Sequence, residues 1–174
     1  MLLKKFFSVF ILVIVISFYF YNKKEYVQYE KNIDEIIDSY KIKGYDGYFS
    51  IPKYNYKRLI KSGNSKQILD SNNIFLLNNG GKIDDEKTNI VLAGHNNKYV
   101  FSILYKLKDE DIIEIFYKDK LYSFKIYKRK IIDIKDTYIL DNIKNDKILT
   151  LITCTNNNQK RFIVLAKLYS HNFP

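Results

Sequence analysis

Apolar residues follow three different patterns along this chain, and each pattern predicts a different kind of element. Across residues 6–21 only Ser8 and Ser17 are clearly polar, with Lys4-Lys5 before the stretch and Asn22-Lys23-Lys24 after it. At about 1.5 Å per helical residue the run is slightly short of a bilayer core, but Leu2, Leu3 and the aromatic edge Phe18-Tyr19-Phe20-Tyr21 extend it into the interface. Residues 1–24 therefore read as a membrane helix. No small-x-small cleavage site follows, so this helix is expected to remain as an uncleaved signal anchor. Its very short basic amino end would stay in the cytoplasm while the remainder is exported. Next, Tyr26, Tyr29, Ile33, Ile36, Ile37 and Tyr40 recur at three- and four-residue steps, which marks a helix with one apolar face. Residues 25–46 are read as a helical stalk or linker.

From Gly44 the spacing changes again. Short runs rich in Ile, Val, Tyr and Phe, separated by turn clusters, occupy residues 47–51, 56–60, 74–77, 90–93, 112–117, 121–134, 148–153 and 161–169. Eight short strands that close on themselves leave no exposed edge. The predicted fold over residues 47–174 is accordingly mostly β, a small eight-stranded closed barrel with short helices. Helical turns are expected at residues 66–70 and 99–104. Turn signals occur at Asn78-Asn79-Gly80-Gly81 and at Lys118-Asp119-Lys120, the latter suited to a hairpin joining the fifth and sixth strands.

Composition narrows the setting. The net charge is +10, yet arginine occurs only at positions 58, 129 and 161, so no Arg-rich stripe points to base readout and nucleic acid is not expected as a partner. The lysine excess would favour an anionic membrane or wall polymer; a Lys-, Asn-, Ile- and Tyr-rich coding bias accounts for it equally well. A single cysteine, Cys154, excludes any internal disulfide and leaves the core to hold the fold.

That cysteine ends the run Ile148-Leu149-Thr150-Leu151-Ile152-Thr153. Another run, Ile90-Val91-Leu92-Ala93, ends in Gly94-His95, and a third begins just after Arg161. If the three ends meet, a thiol, an imidazole and a guanidinium converge as nucleophile, proton carrier and oxyanion stabiliser. Plainer explanations exist: a lone Cys is often a small buried hydrophobe, and Arg161 has Lys160 beside it. However, His95 lies in a polar turn, Gly94-His95-Asn96-Asn97, rather than on an apolar face, and only Arg offers a two-pronged donor. The other histidine, His171, falls in the carboxy-terminal tail and is given no role.

Thr150-Leu151-Ile152-Thr153-Cys154, Ala93-Gly94-His95 and the strand opening with Arg161 resemble, in this order, the signature segments of the sortases, membrane-anchored transpeptidases of Gram-positive bacteria. The resemblance extends over residues 47–168, including Ile51-Pro52-Lys53 and Leu107-Lys108-Asp109-Glu110-Asp111. It implies a sortase-type barrel in which Cys154, His95 and Arg161 are catalytic. The implied substrate is a Leu-Pro-x-Thr-Gly-like sorting signal, cut through a thioacyl intermediate and joined to a peptidoglycan amine or a pilin lysine. Alignment within the segments places Ala93, Ile152 and Thr153 along the sorting-signal groove, although Ala93 and Ile152 equally suit the barrel core.

Some sortases hold calcium near the position of Asp84-Asp85-Glu86, and Asp136 and Asp141 could contribute to such a site. No ligand spacing enforces one, so no metal and no cofactor are expected. The chain stops soon after the last strand, without a second anchor, and no Asp-Pro lid precedes the first strand, which disfavours a pilus-polymerising type. Residues 135–147 lack room for the long helix of class B, leaving a class A- or D-like type as the expectation. The rivals are a different Cys/His peptidase, whose motifs are missing, and a catalytically inactive surface barrel.

Overall fold

The computed structural model describes residues 2–38, 44–63, 72–77, 80–141, 146–155 and 159–172. The chain forms two compact units, Met1–Ser39 and Tyr40–Pro174. The first is a single helix, α1, Leu2–Asp38, 37 residues long. The apolar stretch and the amphipathic segment are thus one element, because Asn22-Lys23-Lys24 contains neither Gly nor Pro and lysine is a good helix former. The helix is long and apolar enough to cross a membrane. Phe7, Phe10, Leu12 and Phe18 are among the large apolar side chains standing outward along it, a continuous surface that water would not tolerate. Tyr40 of the predicted apolar face lies outside the described residues.

The second unit is the barrel. Its strands are β1 Gly47–Ile51, β2 Tyr56–Gly63, β3 Ile74–Leu77, β4 Thr88–Ala93, β5 Ile112–Tyr117, β6 Lys120–Asp133, β7 Lys147–Cys154 and β8 Lys160–Asn172. They close in the order β1-β2-β3-β4-β7-β8-β6-β5. Every predicted strand is present, with ends shifted by a few residues. Thr88 and Asn89 belong to β4 although both are polar, and β8 continues through His171, whose backbone pairs with Tyr122 rather than lying in a loose tail. Lys118 and Asp119, at φ 48° and 58°, make the two-residue left-handed loop that a tight β5–β6 hairpin requires. The expected helical turn near residue 99 is a 3-10 helix at Phe101–Lys106, and the one at residues 66–70 lies outside the described residues, as do Asn78 and Asn79.

Alternation along the strands separates two apolar layers. Phe49, Ile60, Leu92, Ile115, Phe124, Leu151 and Val164 point inward and, with Phe101 and Leu104 of the 3-10 helix, fill the barrel. On the outer face of β6, β7 and β8 a smaller cluster of Ile132, Ile163 and Leu165 packs with Ile152 and with Ile139, which belongs to a short 3-10 helix at Thr137–Leu140. This second layer underlies the site.

Candidate active site

Three strand ends reach one rim because β4 and β7 run parallel. Ala93, the last residue of β4, lies opposite Ile152, and the N–H of Gly94 donates to the Ile152 carbonyl at 3.1 Å, so the turn carrying His95 begins beside the end of β7. From that rim β8 returns antiparallel, with Cys154 paired to Arg161 and Thr153 to Phe162. The Thr155 N–H then donates to the Lys160 carbonyl at 3.0 Å. Residues 156–158 of this connection are outside the described set.

Directly paired residues share a face of the sheet. Since Leu149 and Leu151 point inward, Ile152 and Cys154 point outward, in rows formed with Ile163 and Arg161 on β8. These rows floor a cleft of about 300 Å³ whose far wall includes Thr137, Ile139 and Leu140. All six residues singled out in the sequence, Cys154, His95, Arg161, Ala93, Ile152 and Thr153, line it. Ala93 and Ile152 stand on the outer face and are absent from the barrel interior. Cys154, His95 and Arg161 are each half-buried, covered by neighbours but reachable from the cleft.

The His95 turn is braced from several sides. The Thr153 hydroxyl, 2% exposed as a residue, donates to the Gly94 carbonyl at 2.9 Å. The Phe101 N–H donates to the His95 carbonyl at 2.8 Å, and Asn97 Oδ1 accepts from the N–H groups of Tyr99 and Val100. Beneath the turn, Arg58 is 1% exposed; its Nε donates to the Tyr99 carbonyl, its Nη1 donates to the Lys57 carbonyl at 2.6 Å, and it stacks over Tyr56. Across the rim the Tyr105 hydroxyl donates to the Cys154 carbonyl at 3.3 Å, and its ring stacks on Phe162. Burial, then the neighbouring Cys154, pushes the Tyr105 phenol up, which keeps it protonated and a donor.

A family model for the sortase domain matches residues 49–169, most of the chain. The chain belongs to the sortase family. Sortase A of Listeria monocytogenes is 33% identical over 87 residues, which are 47% of this chain and 39% of that protein's length, so the match spans well under half of that relative. Among solved structures, sortase E1 from Streptomyces coelicolor with a tripeptide in its active site superposes with a TM-score of 0.65 at 24% identity, covering 74% of this chain and 90% of that one. Sortase C1 of the GBS pilus island 1 gives 0.69 at 24% identity, covering 75% and 66%. These two likenesses establish the sortase fold.

Several residues of this sortase barrel that shape the site escaped the sequence reading. Arg58, Asn89, Tyr105 and the Thr137–Leu140 helix carry no recognisable motif. The available signal was a polar residue inside an otherwise apolar run, as with Thr150. Three of the five acidic residues considered for calcium have partners of their own. Asp84 pairs with Lys118 at 2.9 Å, which holds its carboxyl below the usual range, Asp85 accepts from the Lys82 N–H, and Asp136 accepts from the Asp133 N–H. Among the described residues no three His, Cys, Asp or Glu side chains converge to hold a metal.

Proposed function

We propose that this chain is a cysteine transpeptidase that cleaves a Leu-Pro-x-Thr-Gly-like sorting signal and joins the carried protein to a peptidoglycan amine, as a class A- or D-like sortase. The carrying observation is that Cys154, His95 and Arg161, from three separate segments, line one cleft, with Cys154 and Arg161 opposite each other in the ladder. Cys154 attacks the Thr–Gly carbonyl: a C–S bond forms, and the oxyanion accepts hydrogen bonds from the Arg161 fork. The C–N bond then breaks as His95 gives its proton to the departing amine. A second amine attacks the thioester, His95 takes its proton, and the thiolate leaves, so the acyl group is transferred. The apolar floor of Ala93 and Ile152 would take the Leu-Pro side of the signal, with Thr153 beside the scissile bond.

In the same reading residues 1–24 anchor the chain as a single membrane span, 25–46 form the stalk and 47–174 the catalytic domain on the outer side of the membrane. Support for it comes from the length of α1 and its outward apolar side chains. The test is a quenched Leu-Pro-x-Thr-Gly peptide incubated with an added amine. The wild type should release the tail, form the joined product and give a thioester adduct by mass spectrometry. Cys154→Ala should do none of these; a Cys154→Ala protein that cuts and joins as well as wild type would overturn the proposal.

A further inference from the structure

The wall of the cleft needs something to hold it. β6 and β7 are both antiparallel to β8 and therefore parallel to each other, so their connection must travel along the outside of the barrel from the rim near Cys154 to the opposite end. Its described part includes the Thr137–Leu140 helix, only four residues long, which carries the wall residues Thr137, Ile139 and Leu140. A helix this short does not hold its own shape in water. Ile139 packs on the outer apolar cluster, yet apolar contact is non-directional and does not fix where the backbone sits.

Direction comes from Asn89. It stands in β4, four positions before Ala93, and is completely buried. Its Nδ2 donates to the Ile139 carbonyl at 2.9 Å and to the Asp141 carbonyl at 3.0 Å. The Thr150 hydroxyl of β7 donates to its Oδ1 at 2.6 Å. Two carbonyls can only accept, so the amide nitrogen must face them, and Thr150 fixes that orientation from the other side. We infer that Asn89 is a positioning residue: it pins the β6–β7 crossing to the barrel wall and so sets the width of the cleft, acting on peptide binding while leaving the thiol chemistry alone. This rests on the reading of the cleft as the sorting-peptide groove.

The experiment compares full-length wild type with Asn89→Asp, which keeps the shape and the acceptor for Thr150 but replaces both donors with oxygen. Amide hydrogen exchange across residues 137–141 should accelerate, while the amides of β7 and β8 keep their protection. KM for the quenched peptide should rise about 30-fold, as expected for two lost hydrogen bonds of ordinary strength. Both kcat and the rate of Cys154 alkylation by iodoacetamide should stay within about twofold. If β7 and β8 also lose protection, Thr150→Val serves instead, since it leaves both donors and removes only their orienter; KM should then rise several-fold with the same exchange pattern. Unchanged exchange at 137–141, or a fall in kcat at unchanged KM, overturns the inference. If the wild type cleaves no such peptide, the assigned substrate falls, and the exchange result alone decides whether Asn89 holds the crossing.

Discussion

Thr153→Val removes one oxygen and keeps the shape of the side chain, which makes it a clean probe of how the His95 turn is held. In the wild type the hydroxyl donates to the Gly94 carbonyl at 2.9 Å inside a site that is 2% exposed. The loss has two parts: a net hydrogen bond of about 1 kcal/mol, and the desolvation cost of a carbonyl left without that partner, about 1 kcal/mol or more. Together they come to roughly 2 kcal/mol, which in a domain of this size lowers Tm by several degrees. The functional loss should be the larger effect. Gly94 is covalently next to His95, and a shift of about 1 Å in a reacting group can cost on the order of 100-fold in rate. Differential scanning calorimetry and peptide transfer, both in detergent and with the assay well below Tm, separate the two. Thr153→Ser keeps the donor but loses a methyl group, so it should lose some Tm while keeping most of the transfer rate. A Thr153→Val protein with wild-type Tm and rate would refute the reasoning, as would a Thr153→Ser protein as slow as Thr153→Val.

Two further outcomes follow from contacts around the barrel. A Cβ at position 94 would sit 2.5 Å from Val100 Cγ1 and 3.0 Å from the Phe101 ring, so Gly94→Ala should push the His95 turn off its seat and reduce kcat by tenfold or more, on the order expected for misplaced catalytic groups; unimpaired transfer in a folded Gly94→Ala protein would show that the turn can yield. Burial alone would raise the Asp111 carboxyl, but Lys53 at 2.7 Å and the Lys108 N–H hold it below its ordinary range. A carboxyl whose folded pKa is depressed stabilises the fold above its unfolded pKa, about 3.9, and loses that contribution as pH falls through the folded value. The Tm advantage of wild type over Asp111→Asn should hold at neutral pH and shrink in a titration taken below about pH 4; an advantage independent of pH down to acid unfolding would contradict it.

The strands were legible because their apolar runs are short and bounded by turn residues, and the rim residues were legible because Cys154, His95 and Arg161 each adjoin such a run. What local pattern hides is any role that depends on a distant partner. Thr88-Asn89 reads as a polar lead-in to β4, but both residues are buried, and Asn89 is satisfied by carbonyls 50 and 52 positions away. Arg58 falls in the second predicted strand, but nothing local shows that it faces inward between Tyr56 and Ile60 and donates to the carbonyl of Tyr99, 41 positions on. The Thr137–Leu140 helix has no capping side chain and is too short to show a period. For α1 the difficulty was the reverse: two distinct apolar patterns, one for lipid and one for a single face, are carried by one unbroken helix.

Strand direction is the least visible property in a sequence, and here it creates the site. In a barrel whose consecutive strands were all antiparallel, β4 and β7 would end at opposite rims, and His95 would lie the length of the barrel away from Cys154. Parallel pairing of β4 with β7 places both ends together, and the β7–β8 ladder adds Arg161 at the same height. The parallel relation of β6 to β7 then obliges their connection to cross the outer face, over the row of Ile152 and Ile163 that floors the cleft. The rim that carries Cys154, His95 and Arg161 and the wall of the cleft are therefore consequences of one arrangement of strand directions. Substitutions that loosen the crossing should alter which peptides bind, whereas substitutions at the rim should alter how fast a bound one reacts.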